Sequence, residues 1–264
     1  MAKVYHWAGL TGPELAALAG PSCVAVLPIA AIEQHGAHLP LATDVIIGDG
    51  LLQAALAGPA ATDAPRLVLP SLALGASLEH TGFAGTISLS AETAMATIES
   101  VGTALARAGI RRLMLFNSHG GNKAVVDLAA LKLRAAHRML VVKANYFRFA
   151  PPADALPAAE LAHGLHGGAL ETSLMLHFAA DQVRMDRAGD AVSLGARMAE
   201  HGARLGPEGD AGFAWMAQDL HPGGVTGNAR LASAECGARL CRHFAGRLAE
   251  LIDETARFDL AALA

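Results

Sequence analysis

Potential metal ligands are concentrated in residues 32–44, which read Ile-Glu-Gln-His-Gly-Ala-His-Leu-Pro-Leu-Ala-Thr-Asp. This stretch holds Glu33, His35, His38 and Asp44 directly after an apolar run. Carboxylates and imidazoles at this density beside a core need a compensating cation, because an unpaired buried charge is costly. A divalent metal supplies that compensation by taking oxygen and nitrogen ligands directly. The stretch therefore predicts part of a metal site.

Two further clusters carry the same residue types: residues 117–122 are Asn-Ser-His-Gly-Gly-Asn, and residues 166–172 are His-Gly-Gly-Ala-Leu-Glu-Thr. His119 stands at a glycine-rich turn after an apolar run, where the backbone can approach a ligand closely. A phosphate-binding loop is the alternative interpretation, but the Lys-Ser/Thr pair of a P-loop does not follow. We interpret the three clusters as one metal site assembled from three loops.

Each cluster taken alone also has a simpler explanation. On an extended backbone Glu33 and His35 point to the same face while Gln34 points away, yet a polar loop could carry these charges incidentally. Glu171 is expected in the first turn of a helix, where the dipole favours a carboxylate without any further role. His38 is interpreted as a supporting or structural residue rather than as a ligand. These alternatives stay open for each cluster by itself.

The elements that must position the clusters follow from hydrophobic patterning. Short apolar runs predict buried parallel strands, and segments with helical periodicity lie between them. Strands alternating with helices predict a parallel sheet with helices on both faces, with its site beyond the carboxyl ends of the strands. The predicted strands span 23–29, 66–69, 112–116 and 139–144, and the predicted helices span 44–57, 90–108, 122–136, 168–179 and 231–258.

The length of 264 residues fits one large α/β domain, and no linker divides the sequence, so we expect residues 1–264 to form a single domain. Residues 206–227 form a glycine-rich irregular stretch, and long loops of this kind are usually functional or disordered. Its Trp215 could line or cover a pocket. Glu79 and His80 precede another glycine-rich turn and could reach a substrate, although a surface loop is an almost equal alternative.

Composition excludes several classes of function. The net charge of −4, with scattered arginines, argues against a nucleic-acid binder that neutralises phosphates. No uninterrupted apolar stretch is long enough to span a membrane, and the N-terminal residues lack the layout of a signal peptide. Cys23, Cys236 and Cys241 show no metal-finger spacing, so we expect reduced thiols in a cytoplasmic protein.

Together the motifs resemble those of the creatininase family of metal-dependent amidohydrolases. Any one of them would be weak evidence, whereas the set is specific and extends over most of the chain. The matching stretches are Leu27-Pro28, Glu33-Gln34-His35-Gly36, His38-Leu39-Pro40-Leu41, Thr43-Asp44, residues 79–86 (Glu-His-Thr-Gly-Phe-Ala-Gly-Thr), residues 117–122, His166-Gly167-Gly168 and Glu171-Thr172-Ser173.

The resemblance implies a three-layer α/β/α sandwich around a mainly parallel sheet, with a dinuclear metal centre. It also implies a homo-oligomer, often a hexamer. By motif position Glu33, His35, Asp44 and His119 would be metal ligands, with Asp44 as the bridge. The cofactors would be two divalent ions, Zn²⁺ or Mn²⁺, with Fe²⁺ as a further alternative.

Two positions depart from the family pattern. Creatininase has a Glu two residues after the histidine that matches His119, whereas this chain has Gly121. We expect Glu171 to replace that ligand. Leu165 stands before His166, where creatininase has a Trp and a Glu, so creatinine itself is a doubtful substrate.

The expected reaction is hydrolysis of a small amide, cyclic amide or formamide by a hydroxide that two metal ions share. His166 is the predicted proton shuttle, with orientation of Glu171 as its alternative role, and Glu171 is predicted to take part in catalysis as well as metal binding. Two other classes remain open. The first is another dinuclear-metal enzyme, such as an isomerase or phosphoester hydrolase, and the second is a non-catalytic metal-binding scaffold.

Overall fold

The computed structural model describes residues 3–263. Five strands form one sheet: β1 (Val4–His6), β2 (Val24–Ile29), β3 (Arg66–Val68), β4 (Arg112–Asn117) and β5 (Leu140–Asn145). The helices are α1 (Gly12–Leu18), α2 (Thr43–Ala57), α3 (Ala91–Arg107), α4 (Lys123–His137), α5 (Ala158–His163), α6 (Ala169–Phe178), α7 (Leu194–Glu200), α8 (Ala217–Leu220) and α9 (Ala234–Arg257). Four two-residue strands complete the set: β6 (Asp190–Ala191), β7 (Leu205–Gly206), β8 (Ala211–Gly212) and β9 (Gly227–Asn228).

The five-stranded sheet is parallel throughout and has the order β1-β3-β2-β4-β5. Parallel strands need crossover connections, and helices α2, α3 and α4 supply them. Ser90 begins α3 as its N-cap, because its hydroxyl accepts the Thr93 N–H at 3.2 Å. The predicted α/β fold with a mainly parallel sheet is confirmed.

Alternate residues of β2 face two separate hydrophobic cores, as expected for a strand buried on both faces. Val24 and Val26 belong to a core that α2, α6 and α9 cover. Ala25 and Leu27 belong to the opposite core, which α3 and α4 cover. This arrangement is the expected three-layer sandwich.

The carboxyl ends of β2 and β4 lie side by side, since Ile29 is in register with Asn117. Asn117 is in turn in register with Asn145 at the end of β5. Loops that leave these strand ends must therefore begin at one edge of the sheet. The first two sequence clusters occupy those loops, and the third lies at the start of α6.

The boundaries of the long elements differ from their predicted positions by at most three residues. The prediction missed β1, which has only three residues and is half-buried. Residues 206–227 are irregular as predicted, apart from the short elements β8 and α8 and one residue each of β7 and β9. No helix in residues 3–263 combines the length and the apolarity needed to cross a membrane.

Candidate metal centre

Three loops and two helices bring carboxylates and imidazoles into one buried cluster. Glu33 and His35 follow β2, and neither residue is exposed to solvent. Asp44 lies in the first turn of α2 and His119 follows β4. Glu171 lies in the first turn of α6. The five residues predicted as metal ligands therefore lie close together.

The carboxylate of Asp44 divides its two oxygens between two histidines. Its Oδ1 lies 3.5 Å from His35 Nε2, and its Oδ2 lies 3.3 Å from His119 Nδ1. Glu33 Oε1 accompanies His119, at 3.2 Å from Nδ1, and Glu171 Oε2 accompanies His35, at 3.9 Å from Nε2. Asp44 thus stands between two groups that each contain a histidine and a second carboxylate.

Hydrogen bonds to backbone carbonyls turn the free nitrogens of both histidines toward the carboxylates. His35 Nδ1 lies 3.1 Å from Glu33 O, and His119 Nε2 lies 3.0 Å from Ala76 O. A carbonyl oxygen only accepts, so in the neutral rings these nitrogens carry the proton. The lone pairs on His35 Nε2 and His119 Nδ1 then face the cluster, which is the orientation of a metal-ligating histidine.

Several buried atoms of the cluster lack any hydrogen-bond partner within the described part of the chain. They are Glu33 Oε1, Glu33 Oε2, His35 Nε2 and Asp44 Oδ2. Buried polar groups are almost always satisfied, and an ion is one recognised explanation for an exception. Sets of oxygen and nitrogen atoms lie within 4.8 Å of one another here, among them Glu33–His35–Asp44 and Glu33–Glu79–His119. The donor set therefore fits divalent cations such as zinc and manganese.

In the absence of a cation, protons on the histidines balance the carboxylates. Burial alone would lower the pKa of His35, but the carboxylates of Asp44, Glu171 and Glu33 raise it to about 9. The pKa of His119 is raised in the same way, by Glu33 and Asp44 against the effect of burial. The pKa of Asp44 is lowered, because His35 and His119 outweigh its burial. A bound cation would take the place of these protons.

Glu171 differs from the other carboxylates, because burial raises its pKa to about 7. Its Oε2 accepts the Gly167 N–H at 2.6 Å, a short bond within the turn that starts α6. Gly167 has a φ of +65°, in the left-handed region that favours glycine. The Gly-Gly pair of the third cluster therefore allows a turn that fixes the direction of the Glu171 side chain.

His166, in the turn before α6, and His38, in the β2–α2 loop, lie beside the cluster. His166 Nδ1 lies 3.6 Å from Glu33 Oε1, and its ring stacks against His35 with centroids 4.2 Å apart. His38 Nε2 lies 3.0 Å from the hydroxyl of Thr172. The expectation that His38 supports the site rather than binding metal remains a prediction, and this contact favours it.

The prediction that Gln34 points away from the site is wrong. Gln34 is 5% exposed, and its amide lies within hydrogen-bonding distance of His80 Nδ1 and Gly224 O. Alternation along a strand does not govern this loop, because Gly36, with a φ of +70°, turns the chain directly after the motif. Gln34 instead joins the β2–α2 loop to residues 78–80 and to the 206–227 stretch.

Sequence reasoning left Glu79 and His80 undecided between a site and a surface loop, and the structure places both beside the ligands. Glu79 Oε1 lies 3.6 Å from His119 Nε2, and His80 Nε2 lies 3.5 Å from Glu33 Oε1. A Cβ atom at Gly121 would lie 2.5 Å from His119 Nε2 and closer still to Glu79 Oε1. Glu79 thus occupies space that a side chain at position 121 would need.

Two further neighbours carried no recognisable sequence signal. The buried hydroxyl of Ser77 lies 3.2 Å from His119 Nε2. The phenol of Tyr146 is 1% exposed, and its pKa is raised by burial and by the nearby carboxylates of Glu171 and Asp44.

Trp215, the predicted pocket residue, donates its indole N–H to Pro207 O within its own loop. Residues 224–226 of that loop reach the site instead.

Comparison with known proteins decides the family. The family model described as creatinine amidohydrolase (Creatininase) matches residues 8–252. The chain belongs to the creatininase family. The predicted resemblance is therefore confirmed.

Relatives of the chain within the family carry different activities. The creatinine amidohydrolase of Pseudomonas putida is 36% identical over 207 residues, covering 72% of this chain and 78% of that protein. The mycofactocin precursor peptide peptidase of Mycobacterium tuberculosis H37Rv is 35% identical over 167 residues. That match covers 61% of this chain and 61% of the length of the peptidase.

Solved creatininase structures share the fold. A crystal structure of creatinine amidohydrolase superposes with a TM-score of 0.75 at 29% identity, covering 94% of this chain and 96% of that chain. A mutant creatininase of the Zn–Zn type superposes with a TM-score of 0.74 at 29% identity, covering 96% and 98%. A manganese form of creatininase gives a TM-score of 0.73 at 27% identity, again over 96% and 98%.

Proposed function

We propose that this chain is a dinuclear metal-dependent amidohydrolase that cleaves a C–N bond in a small amide, cyclic amide or formamide. The single observation that carries the proposal is the division of Asp44 between His119 and His35, each accompanied by its own second carboxylate. A carboxylate that bridges two cations needs this arrangement. Membership of the creatininase family supports the same reaction class.

In the proposed centre Glu33, His119 and Asp44 would hold one cation, and His35, Glu171 and Asp44 would hold the other. The metals are Zn²⁺ or Mn²⁺, since structural relatives include Zn–Zn and manganese forms of creatininase. Such ions would polarise the amide carbonyl and lower the pKa of an attacking water. We propose Glu171 as the second carboxylate of the His35 group, while Glu79 occupies the space beside Gly121. The high pKa of Glu171 in the metal-free chain means that metal binding there releases a proton.

His166 is the proposed proton carrier. Its Nε2 lies 2.7 Å from Gln34 O, so in the neutral ring the proton is on Nε2 and the lone pair on Nδ1 faces Glu33. Burial lowers the pKa of this ring, which keeps it neutral before the reaction. Nδ1 can then accept a proton from water and pass it to the leaving nitrogen.

Metal content tests the centre directly. Elemental analysis of the purified, metal-supplemented native chain should give close to two ions per chain. Glu171→Ala should give about one, because it removes a ligand from one group only. Glu200→Ala is a matched control, since Glu200 is an exposed carboxylate at the end of α7, away from the cluster. One ion or none in the folded, metal-supplemented native chain would rule out a mechanism in which two metal ions share a hydroxide.

A substrate panel tests the reaction class. It should contain creatinine, formamides, lactams and short peptides, because the two named relatives differ in substrate while matching this chain at similar identity. We expect turnover of a small amide only after metal loading. Loss of amide turnover in Asp44→Asn would show that the metal centre carries out the reaction. Hydrolysis of a phosphoester, or isomerisation of a substrate, in place of amide hydrolysis would favour the other enzyme classes.

Assembly and location are further parts of the proposal. We expect a cytoplasmic homo-oligomer, with the hexamer implied by the family resemblance as the specific expectation. Exposed apolar side chains next to the site loops support self-association, since Leu78 is 71% and Ile87 is 52% exposed. Light scattering on the purified protein measures the number of chains, and a monomer at micromolar concentration would contradict the expectation.

A further inference from the structure

The amide of Gln34 has one orientation that satisfies its backbone partners. Its Oε1 lies 2.9 Å from Gly36 N, and its Nε2 lies 2.6 Å from Gly224 O. A peptide N–H only donates and a carbonyl only accepts, so the oxygen must face Gly36 and the NH₂ group must face Gly224. One of the two Nε2 protons is therefore used, and the second remains for a ring nitrogen.

That second proton is directed to His80. Gln34 Nε2 lies 2.9 Å from His80 Nδ1, so Nδ1 must accept. Gln34 Nε2 also lies 3.3 Å from His166 Nε2, but that nitrogen already donates to Gln34 O at 2.7 Å. A ring nitrogen that accepts carries no proton, so the His80 ring is neutral and its single proton is on Nε2. The His166 ring donates from Nε2 to Gln34 O, which leaves Nδ1 without a proton in its neutral form.

Both rings carry their proton on Nε2, but His80 presents a protonated nitrogen to the centre and His166 presents an unprotonated one. His80 turns Nε2 toward Glu33 Oε1, at 3.5 Å, and His166 turns Nδ1 toward the same oxygen, at 3.6 Å. The rings stack, with centroids 4.1 Å apart and planes 32° apart. A protonated nitrogen and a bare nitrogen therefore lie side by side at one edge of the cluster.

We propose that Gln34 is a positioning residue that fixes His80 as a hydrogen-bond donor and leaves His166 as an acceptor beside the metal centre. His80 is then not a metal ligand, because Nε2 has no free lone pair. Its N–H is instead available to a substrate oxygen. His80 lies close enough to Glu33 and His166 to share a cation with them, and the proton on Nε2 is what excludes it as a ligand.

The role of this pair in catalysis rests on the proposed function. Water adds to the amide carbonyl carbon while His166 Nδ1 takes its proton, and negative charge develops on the carbonyl oxygen. His80 Nε2–H donates a hydrogen bond to that oxygen and keeps its own proton throughout. The C–N bond then breaks as His166 returns the proton to the leaving nitrogen, which gives an acid and an amine.

The proton positions can be observed without activity. Long-range ¹H–¹⁵N correlation spectra of the metal-free and zinc-loaded chain distinguish Nδ1–H from Nε2–H rings, with His80→Asn and His166→Asn used to assign the signals. We expect both rings as Nε2–H, and His80 to remain so after zinc is bound. A His80 ring protonated on Nδ1, in either sample, would overturn the inference.

Gln34→Glu tests the positioning role and contains its own control. The carboxylate presents an acceptor to His80 Nδ1, so we expect the His80 proton to move to Nδ1. The His166 proton should stay on Nε2, because its partner is the backbone oxygen of residue 34. An unchanged His80 ring in the folded variant would show that Gln34 does not set its proton.

His80→Asn keeps the inference testable if the Gln34 variant does not fold. We expect this variant to bind as many zinc ions as the native chain, whereas loss of an ion would make His80 a ligand and contradict the inference. On any amide that the native chain hydrolyses, its kcat should fall about 10²- to 10³-fold with little change in KM. If no amide is hydrolysed but the spectra are as expected, the proposed function fails and the proton arrangement stands.

Discussion

Charged side chains are buried at both ends of the parallel sheet, but their partners differ. At the amino-terminal end, Arg66 on β3 donates to Asp253 on α9 at 2.6 Å. The Asp253 carboxylate also accepts the Ala61 N–H at 2.8 Å and the Thr62 hydroxyl at 3.2 Å. Both Asp253 oxygens are thus hydrogen-bonded within the protein.

At the carboxyl-terminal end, the Glu33 carboxylate is fully buried and neither of its oxygens has a hydrogen-bond partner in residues 3–263. The comparison teaches that burial of charge alone does not indicate function. The Asp253 carboxylate, whose oxygens are both hydrogen-bonded, connects α9 to the sheet. The Glu33 carboxylate, whose oxygens are free, is available to a cation.

The largest effect is expected where the two halves of the metal centre meet. Asp44→Asn removes the charge shared between both groups, so we expect loss of at least one ion per chain and a fall of about 10³-fold or more in kcat/KM. Metal analysis and steady-state kinetics measure the two losses. Asp49→Asn is the matched control on α2, since Asp49 contacts Ser71 rather than a candidate ligand. Similar losses in both variants would indicate a general defect of the helix.

The second effect is on stability at the other end of the sheet. Asp253→Ala leaves Arg66, which is 1% exposed, as an unpaired buried cation, so the free energy of unfolding should fall by about 3 to 5 kcal/mol. Urea denaturation measures the change. Asp154→Ala, which breaks an exposed ion pair with Arg239, is the control and should cost about 1 kcal/mol or less. Equal losses of free energy of unfolding in the two variants would show that the buried Arg66–Asp253 pair stabilises the fold no more than the exposed pair does.

The sequence predicted the sheet and the grouping of the ligands for physical reasons. Short apolar runs such as 112–116 are typical of strands in a sheet covered on both faces, and β4 occupies Arg112–Asn117. Loops leaving adjacent parallel strands begin at the same edge, which brings Glu33 and His119 together. That residues 1–264 form a single domain, and that the five named residues bind metal, remain predictions.

The rest of the site depends on contacts distant in sequence. Gln34 reaches Gly224, 190 residues away, and no local pattern specifies that hydrogen bond. Glu79 occupies the space beside Gly121 because a separate loop folds over the end of β4. The sequence showed the absence of a side chain at position 121, but only the packed loops show which carboxylate lies there.

The third expected effect tests whether the buried carboxylate of Glu33 stabilises the fold as that of Asp253 does, or serves mainly to bind a cation. Glu33→Gln removes a charge that raises the pKa of His119, but His119 can then lose its proton whereas Arg66 cannot, so the metal-free variant should lose less free energy of unfolding than Asp253→Ala. Zinc should raise the melting temperature of the native chain by more than that of the variant, which keeps only the His35, Glu171 and Asp44 group intact. Differential scanning calorimetry with and without zinc measures both. A metal-free variant as unstable as Asp253→Ala would mean that Glu33 has a structural role like that of Asp253.

The smallest expected effect is on the pH dependence of the free energy of unfolding. The contributions of Asp253 and Glu171, at opposite ends of the sheet, should have opposite signs. Hydrogen bonds from Ala61 N–H and Arg66 lower the pKa of Asp253 although burial opposes them. A lowered pKa stabilises the fold above the ordinary value, and this contribution is lost as the pH falls through the folded-state pKa. Burial raises the pKa of Glu171 to about 7, so the metal-free folded chain holds an extra proton between about pH 4.5 and 7.

The free energy of unfolding of the metal-free chain should therefore decline as the pH rises through that window, and Glu171→Gln should remove this part of the decline. Saturating zinc should reverse the sign, because metal binding requires the deprotonated carboxylate and so strengthens as the pH rises. Urea denaturation from pH 4.5 to 7, with and without zinc, measures both slopes. Identical slopes in the two series would show that Glu171 gives up no proton to the metal, and the second cation would then need a different ligand.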